Sequence, residues 1–108
     1  MNGRGSATRA EAIILEFEGV DPEQYWAVNG KLGIDMLAGT GDWPDGLITH
    51  WGGKSEAGTF VVGEVWESRA AQGAFMEARL GQALAEGGIN VVPKITWVSL
   101  LAHQEPGV

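Results

Sequence analysis

The segment Thr59-Phe60-Val61-Val62-Gly63-Glu64-Val65-Trp66-Glu67-Ser68 changes character near its end. Through Trp66 it is rich in β-branched and aromatic residues, which suit a pleated, half-buried strand. Ser68 then offers a side-chain oxygen to the free backbone N–H groups of a helix first turn, and apolar residues continue through Phe75 to about Leu80. Ala71 occupies the third helical position, where a full capping box carries Glu or Gln, so the cap is one-sided. Gly81 is expected to break this helix, leaving a short further turn over 82–86.

Toward the N-terminus, Leu47-Ile48-Thr49-His50-Trp51 reads as a strand and residues 52–58 as a turn, so the two strands form a hairpin. The stretch 38–46 is loop chemistry around Trp43. Asp21-Pro22-Glu23-Gln24 is a helix start: Asp caps, Pro suits the first helical position, Gln can return a bond, and Val20 can staple onto Tyr25. The stripe of this helix is Tyr25, Val28, Leu32 and Met36, with Gly30 and Gly33 leaving its far end open, since each costs about 1 kcal/mol relative to alanine. Residues 12–18 form a strand ending at Gly19, and 94–101 form the last strand after Pro93.

The order β-α-β-β-α-β predicts an α+β, ferredoxin-like fold: one four-stranded antiparallel sheet with both helices on one face. The second sheet face is apolar, and in so short a chain a twin sheet from a second copy buries it most economically, giving a homodimer. Residues 1–10 lack periodicity and read as a flexible arm, leaving 11–108 as a single domain.

The chain has 108 residues, 44% of them hydrophobic, which fits one globular core. Seven basic against fourteen acidic residues give 7 − 14 = −7, a charge that repels phosphate backbones and anionic lipid, so neither nucleic acid nor membrane is an expected partner. The absence of cysteine excludes disulfides, thiolate nucleophiles and Cys-ligated metals. No secretory h-region and no long apolar run are visible, so a cytoplasmic location is expected. No His-x-His or His-x-x-x-His spacing supports a metal site, and no Gly-x-Gly-x-x-Gly follows a strand, so no metal or nucleotide cofactor is expected.

Val65-Trp66-Glu67-Ser68 followed by Phe75 resembles the dimeric α/β-barrel superfamily, in particular its antibiotic-biosynthesis-monooxygenase-like branch. Gly46-Leu47-Ile48-Thr49-His50 and Phe75-x-x-x-Arg79-Leu80-Gly81 are further echoes, and the resemblance runs from about Ala12 to Leu101. It implies the dimeric barrel, and it places Trp66 at a pocket between sheet and helices. Haem degraders of this superfamily use an asparagine on the first strand and a histidine on the second helix. Strand 12–18 has no asparagine and 68–86 no histidine, so haem is not an expected ligand. The superfamily holds monooxygenases, cyclases, isomerases and proteins without known activity, so the reaction must be argued from the site.

Glu64 lies two residues before Trp66 and shares its sheet face. A carboxylate in such a pocket would be desolvated, its pKa raised, and it could act as a general base; alternatively Glu64 pairs with Arg69, Arg79 or Lys94. His50 suits proton transfer near neutral pH. In one hairpin register it pairs with Glu64, and in the other it packs at the dimer seam. His103 lies near the exposed tail. Tyr25, Trp26, Trp43, Trp66 and Phe75 could wall a flat aromatic ligand, or form ordinary core. The resulting expectation is a cofactor-free monooxygenase or cyclase of secondary metabolism, acting on a small aromatic or polyketide-like substrate. Glu64 and His50 would be catalytic and the five aromatics would bind substrate. The alternative is a non-catalytic ligand-binding or accessory dimeric protein.

Overall fold

A computed structural model describes residues 10–104 and Pro106. The expected arm over 1–10 lies, apart from Ala10, outside the described residues; Ala10 is buried. The elements are β1 (Glu11–Phe17), α1 (Pro22–Leu32), β2 (Ile34–Asp35), β3 (Thr40–Gly41), β4 (Leu47–Lys54), β5 (Phe60–Trp66), α2 (Arg69–Phe75), a π-helical turn (Met76–Leu80), α3 (Gly81–Glu86) and β6 (Lys94–Ser99). The main sheet has the order β4-β5-β1-β6, with every neighbouring pair antiparallel. This is the ferredoxin-like α+β arrangement that the element order predicts.

Period-two alternation sorts the sheet. Ile13, Leu15 and Phe17 of β1 and Phe60, Val62, Glu64 and Trp66 of β5 are buried on one face, with Val28 and Leu32 of α1 and Phe75 and Leu80 of the second helical arm completing the core. On the other face lie Ala12 and Ile14, Val61 and Val65, and Trp51, which lies across Gly63: a Cβ built on Gly63 would come within 2.0 Å of the Trp51 indole.

Both helix starts are as read. Asp21 accepts from the Gln24 N–H at 3.0 Å and the Gln24 side chain accepts from the Asp21 N–H at 3.0 Å, while Ser68 accepts from the Ala71 N–H at 3.1 Å. Five boundaries differ from expectation. Gly33 adopts a left-handed conformation (φ 75°) and ends α1, so Met36 falls outside the helix. β2 falls where the helix stripe was expected to continue and β3 in the stretch read as loop, and their small ladder closes only because Gly41 lacks a Cβ that would meet the Gly33 carbonyl at 2.2 Å. β4 continues through Gly52 and Gly53 to Lys54, where a turn was expected, because ladder pairing to Val62 and Val61 outweighs the low strand preference of glycine. Gly81 does not break the second helix: its dihedrals are helical (φ −57°, ψ −45°) and its N–H reaches Met76 O, the i→i+5 bond of a π bulge. The last strand also stops at Ser99 rather than Leu101.

Candidate functional site

Two side-chain contacts of Glu64, to His50 across the β4–β5 pair and to Trp66 along β5, define the site. β4 and β5 pair with His50 opposite Glu64, after an irregularity between Leu47 and Thr49. That register puts both side chains on the inner face, where His50 Nδ1 and Glu64 Oε2 are 2.8 Å apart. The second carboxylate oxygen, Oε1, accepts from the Trp66 indole N–H at 2.9 Å. On the far side of the imidazole, Nε2 is 2.7 Å from the Tyr25 hydroxyl of α1. An ionised carboxylate only accepts, so Nδ1 carries the hydrogen in neutral His50 and Nε2 presents a lone pair to the Tyr25 O–H.

The row Trp66, Glu64, His50, Tyr25 is set by backbone geometry at each step. Period two stacks Trp66 and Glu64 on one face, and the hairpin register adds His50. Tyr25 reaches His50 by lying flat over Gly52, whose missing Cβ would meet the Tyr25 ring at 2.8 Å and the hydroxyl at 3.0 Å. The tyrosine and histidine rings are parallel within 3°, and Phe60 backs Tyr25 with centroids 4.9 Å apart. Burial holds the Tyr25 hydroxyl above its ordinary pKa of 10.0; the Asn29 side chain opposes the shift and the Glu64 charge adds to it.

A cavity of about 60 Å³ opens beside this row. Its wall is almost wholly carbon, including Leu15, Phe17, Val28, Leu32, Val62 and Phe75, and its polar side chains are Tyr25, Asn29, His50 and Glu64, together with the Trp43 indole. Outside it lies a groove of about 390 Å³ bounded by Met36, Gly39, Trp43, Leu47, Ile48, Thr49 and His50. Trp43, Leu47 and His50 border both spaces. The Trp43 ring stands 5.8 Å from His50 and its N–H is held by Gly39 O at 3.1 Å. Arg79 anchors this loop by donating to Leu32 O at 2.9 Å and Asp42 O at 2.6 Å, and it pairs with the Asp42 carboxylate at 3.2 Å.

Of the residues expected at a site, Tyr25, Trp43, His50, Glu64 and Phe75 line the cavity, whereas Trp26 and Trp66 do not. Trp66 is fully buried against Phe75 and spends its N–H on Glu64; Trp26 is 47% exposed and makes an edge contact with the Tyr25 ring. None of the three cations weighed as partners for Glu64 reaches it: Arg69 pairs with Glu11, Arg79 with Asp42, and Glu64 bonds His50 and Trp66. His103 is exposed. Among the described residues no three His, Asp or Glu side chains converge as a metal site would require, and no helix is long and apolar enough to cross a membrane.

Two contributors were not singled out from sequence. Gly52, read as a turn residue, is the floor beneath Tyr25. Asn29 lines the cavity at 6% exposure, and the signal for it was its i, i+4 spacing from Tyr25 on α1.

No protein-family model and no curated protein matches the chain. Solved structures do match its fold. A protein of unknown function from Nitrosomonas europaea, NE2512, is 18% identical with a TM-score of 0.65, covering 94% of this chain and 99% of its own. A candidate antibiotic biosynthesis monooxygenase from Chloroflexus aurantiacus is 12% identical with a TM-score of 0.62, over 91% of this chain and 99% of its own. The monooxygenase from the ActVA-Orf6 gene of Streptomyces coelicolor, in complex with nanaomycin D, is 20% identical with a TM-score of 0.57, over 93% and 95%. The chain therefore has the fold of the antibiotic-biosynthesis-monooxygenase-like proteins.

Proposed function

We propose that this protein is a cofactor-independent enzyme that takes a proton from a small aromatic or polyketide-like substrate, as a monooxygenase or cyclase. The observation carrying this reading is the continuous row from the Glu64 carboxylate through His50 to the Tyr25 hydroxyl at the wall of an apolar cavity. Both Glu64 oxygens are engaged, so its role is to orient His50 and balance the imidazolium, and His50 Nε2 becomes the base. This replaces Glu64 as the group that receives the proton. Because Tyr25 is held neutral, it works as a relay: its oxygen accepts the substrate proton as its own proton passes to Nε2.

The substrate anion then carries the reaction. In the oxygenase version the electron-rich anion adds to dioxygen as a carbon-bound peroxide anion, which takes back the proton held by His50; the resulting hydroperoxide loses water with the hydrogen remaining on that carbon and leaves a carbonyl, so that dioxygen gains the four electrons the carbon loses. In the cyclase version the same anion attacks a carbonyl of its own chain. Tyr25, Trp43 and Phe75 supply aromatic walls, and a polycyclic substrate would place one edge in the cavity and its remainder in the outer groove. The uncovered sheet face bearing Ile14, Trp51, Val61 and Val65 supports a homodimer joined sheet to sheet.

Proton abstraction is measured without knowing the later step. In anaerobic D₂O, a catalytic amount of protein should accelerate deuterium uptake at C1 of 2-tetralone, whose hydrogens are acidified by ring and carbonyl together. Uptake at the buffer rate, with the ketone shown to bind, would favour the binding-protein reading instead.

A further inference from the structure

Asn29 is a buried amide whose Nδ2 meets hydrogen-bond geometry with no protein group among the described residues. Buried polar atoms are nearly always satisfied, and leaving a donor unmet in a carbon-lined space is costly. Asn29 also lines the cavity, one helical turn from Tyr25 on the same face of α1, close enough for its side chain to oppose the rise in the Tyr25 pKa. The acceptor it approaches is the Tyr25 hydroxyl, a contact that falls short of hydrogen-bond geometry and leaves the donor open to a better-placed oxygen. Leucine would satisfy the α1 packing pattern at this position, between Val28 and Leu32.

We infer that Asn29 is a ligand-binding residue whose Nδ2 donates to an acceptor oxygen of the bound molecule, so that the ligand is an aromatic compound with a carbonyl or enolate oxygen on the edge it turns toward Tyr25. This deepens the proposed function, resting on its premise that the cavity takes a small aromatic ligand. Asn29 and Tyr25 then meet one edge of the ligand together: the amide holds the oxygen, and the hydroxyl meets the acidic hydrogen nearby. As an anion forms by loss of that hydrogen, charge moves onto the oxygen that Asn29 faces, where a preorganised donor acts most strongly. Aromatic hydrocarbons lack the acceptor and are discriminated against.

The test compares acetophenone with ethylbenzene, which has nearly the same shape and no acceptor, by NMR shift titration of the full chain. Asn29→Ala should weaken acetophenone by about 5- to 10-fold, the worth of one hydrogen bond, and leave ethylbenzene unchanged or tighter. An equal change for both probes, or wild-type binding of ethylbenzene alone, would overturn the assignment of Asn29 while leaving the cavity a ligand site. Binding of neither probe by the wild-type chain would overturn the ligand premise along with it. Asn29→Leu separates a structural role: an unused donor predicts an unchanged or raised unfolding midpoint, and a clear fall would show that Asn29 serves the fold. Deuterium uptake by 2-tetralone reports the proton-transfer reading separately.

Discussion

Glu64→Gln keeps the side-chain volume and changes only what its two outer atoms can do. The carboxylate accepts twice, from His50 Nδ1 and from the Trp66 indole. An amide offers one acceptor and one NH₂ group. If its oxygen stayed on His50, the Trp66 N–H would face the NH₂, two donors in the core without partners at about 1–3 kcal/mol each. If its oxygen turns to Trp66, the NH₂ donates to Nδ1, and the imidazole escapes that cost by changing tautomer. The second arrangement wins, and its consequence is chemical: Nε2 now carries the hydrogen, the Tyr25 hydroxyl must turn to accept, and the relay points the wrong way. Trading a charge-assisted bond for a neutral one should cost about 1 kcal/mol of stability. Deuterium uptake by 2-tetralone should fall by about 10²- to 10⁴-fold, the range for losing a general base or its correct tautomer. Uptake at the wild-type rate would refute the reasoning, as would a loss matched by the fraction of unfolded chain in a thermal melt.

Gly52→Ala should displace the Tyr25 ring, which a Cβ would meet at 2.8 Å, and lower deuterium uptake by about 10-fold or more while circular dichroism stays unchanged. Tyr25 ionises at higher pH folded than unfolded, so its contribution to stability is fully present below pH 10.0 and is lost as pH rises through the folded value. Urea titrations of wild type and Tyr25→Phe should therefore show a steeper alkaline decline for wild type, and parallel declines would count against burial as the cause. Trp51→Glu puts a charge on the uncovered sheet face and should convert a two-chain species to a single chain in sedimentation equilibrium; a wild-type monomer at micromolar concentration would remove the dimer from the account.

Much of this arrangement is legible in the residues themselves. Alternation over residues 60–66 places Glu64 and Trp66 together, and Asp21 and Ser68 announce their helices, because period and capping are local physics. Hairpin register is not local. Gly52 and Gly53 look like a turn, and only their ladder partners Val62 and Val61 make them strand, which in turn decides that His50 meets Glu64. The part played by Trp66 depends on tertiary packing as well. A tryptophan on a pocket-facing strand can face ligand or support a neighbour, and here its N–H supports Glu64 from the core. Gly81 misleads for a related reason: a π bulge absorbs it into a continuous helical arm, whose Leu80 lines the cavity.

In the proposed relay, Glu64 fixes His50 in the tautomer whose Nε2 lone pair faces Tyr25. Long-range ¹H–¹⁵N correlation spectra at mildly alkaline pH measure it directly, since the chain has only two histidines and His50→Gln identifies one set of signals. A protonated Nδ1 and a bare Nε2 are expected for His50 in the wild-type chain, reversed in Glu64→Gln. A hydrogen on Nε2 in the wild type would contradict the relay.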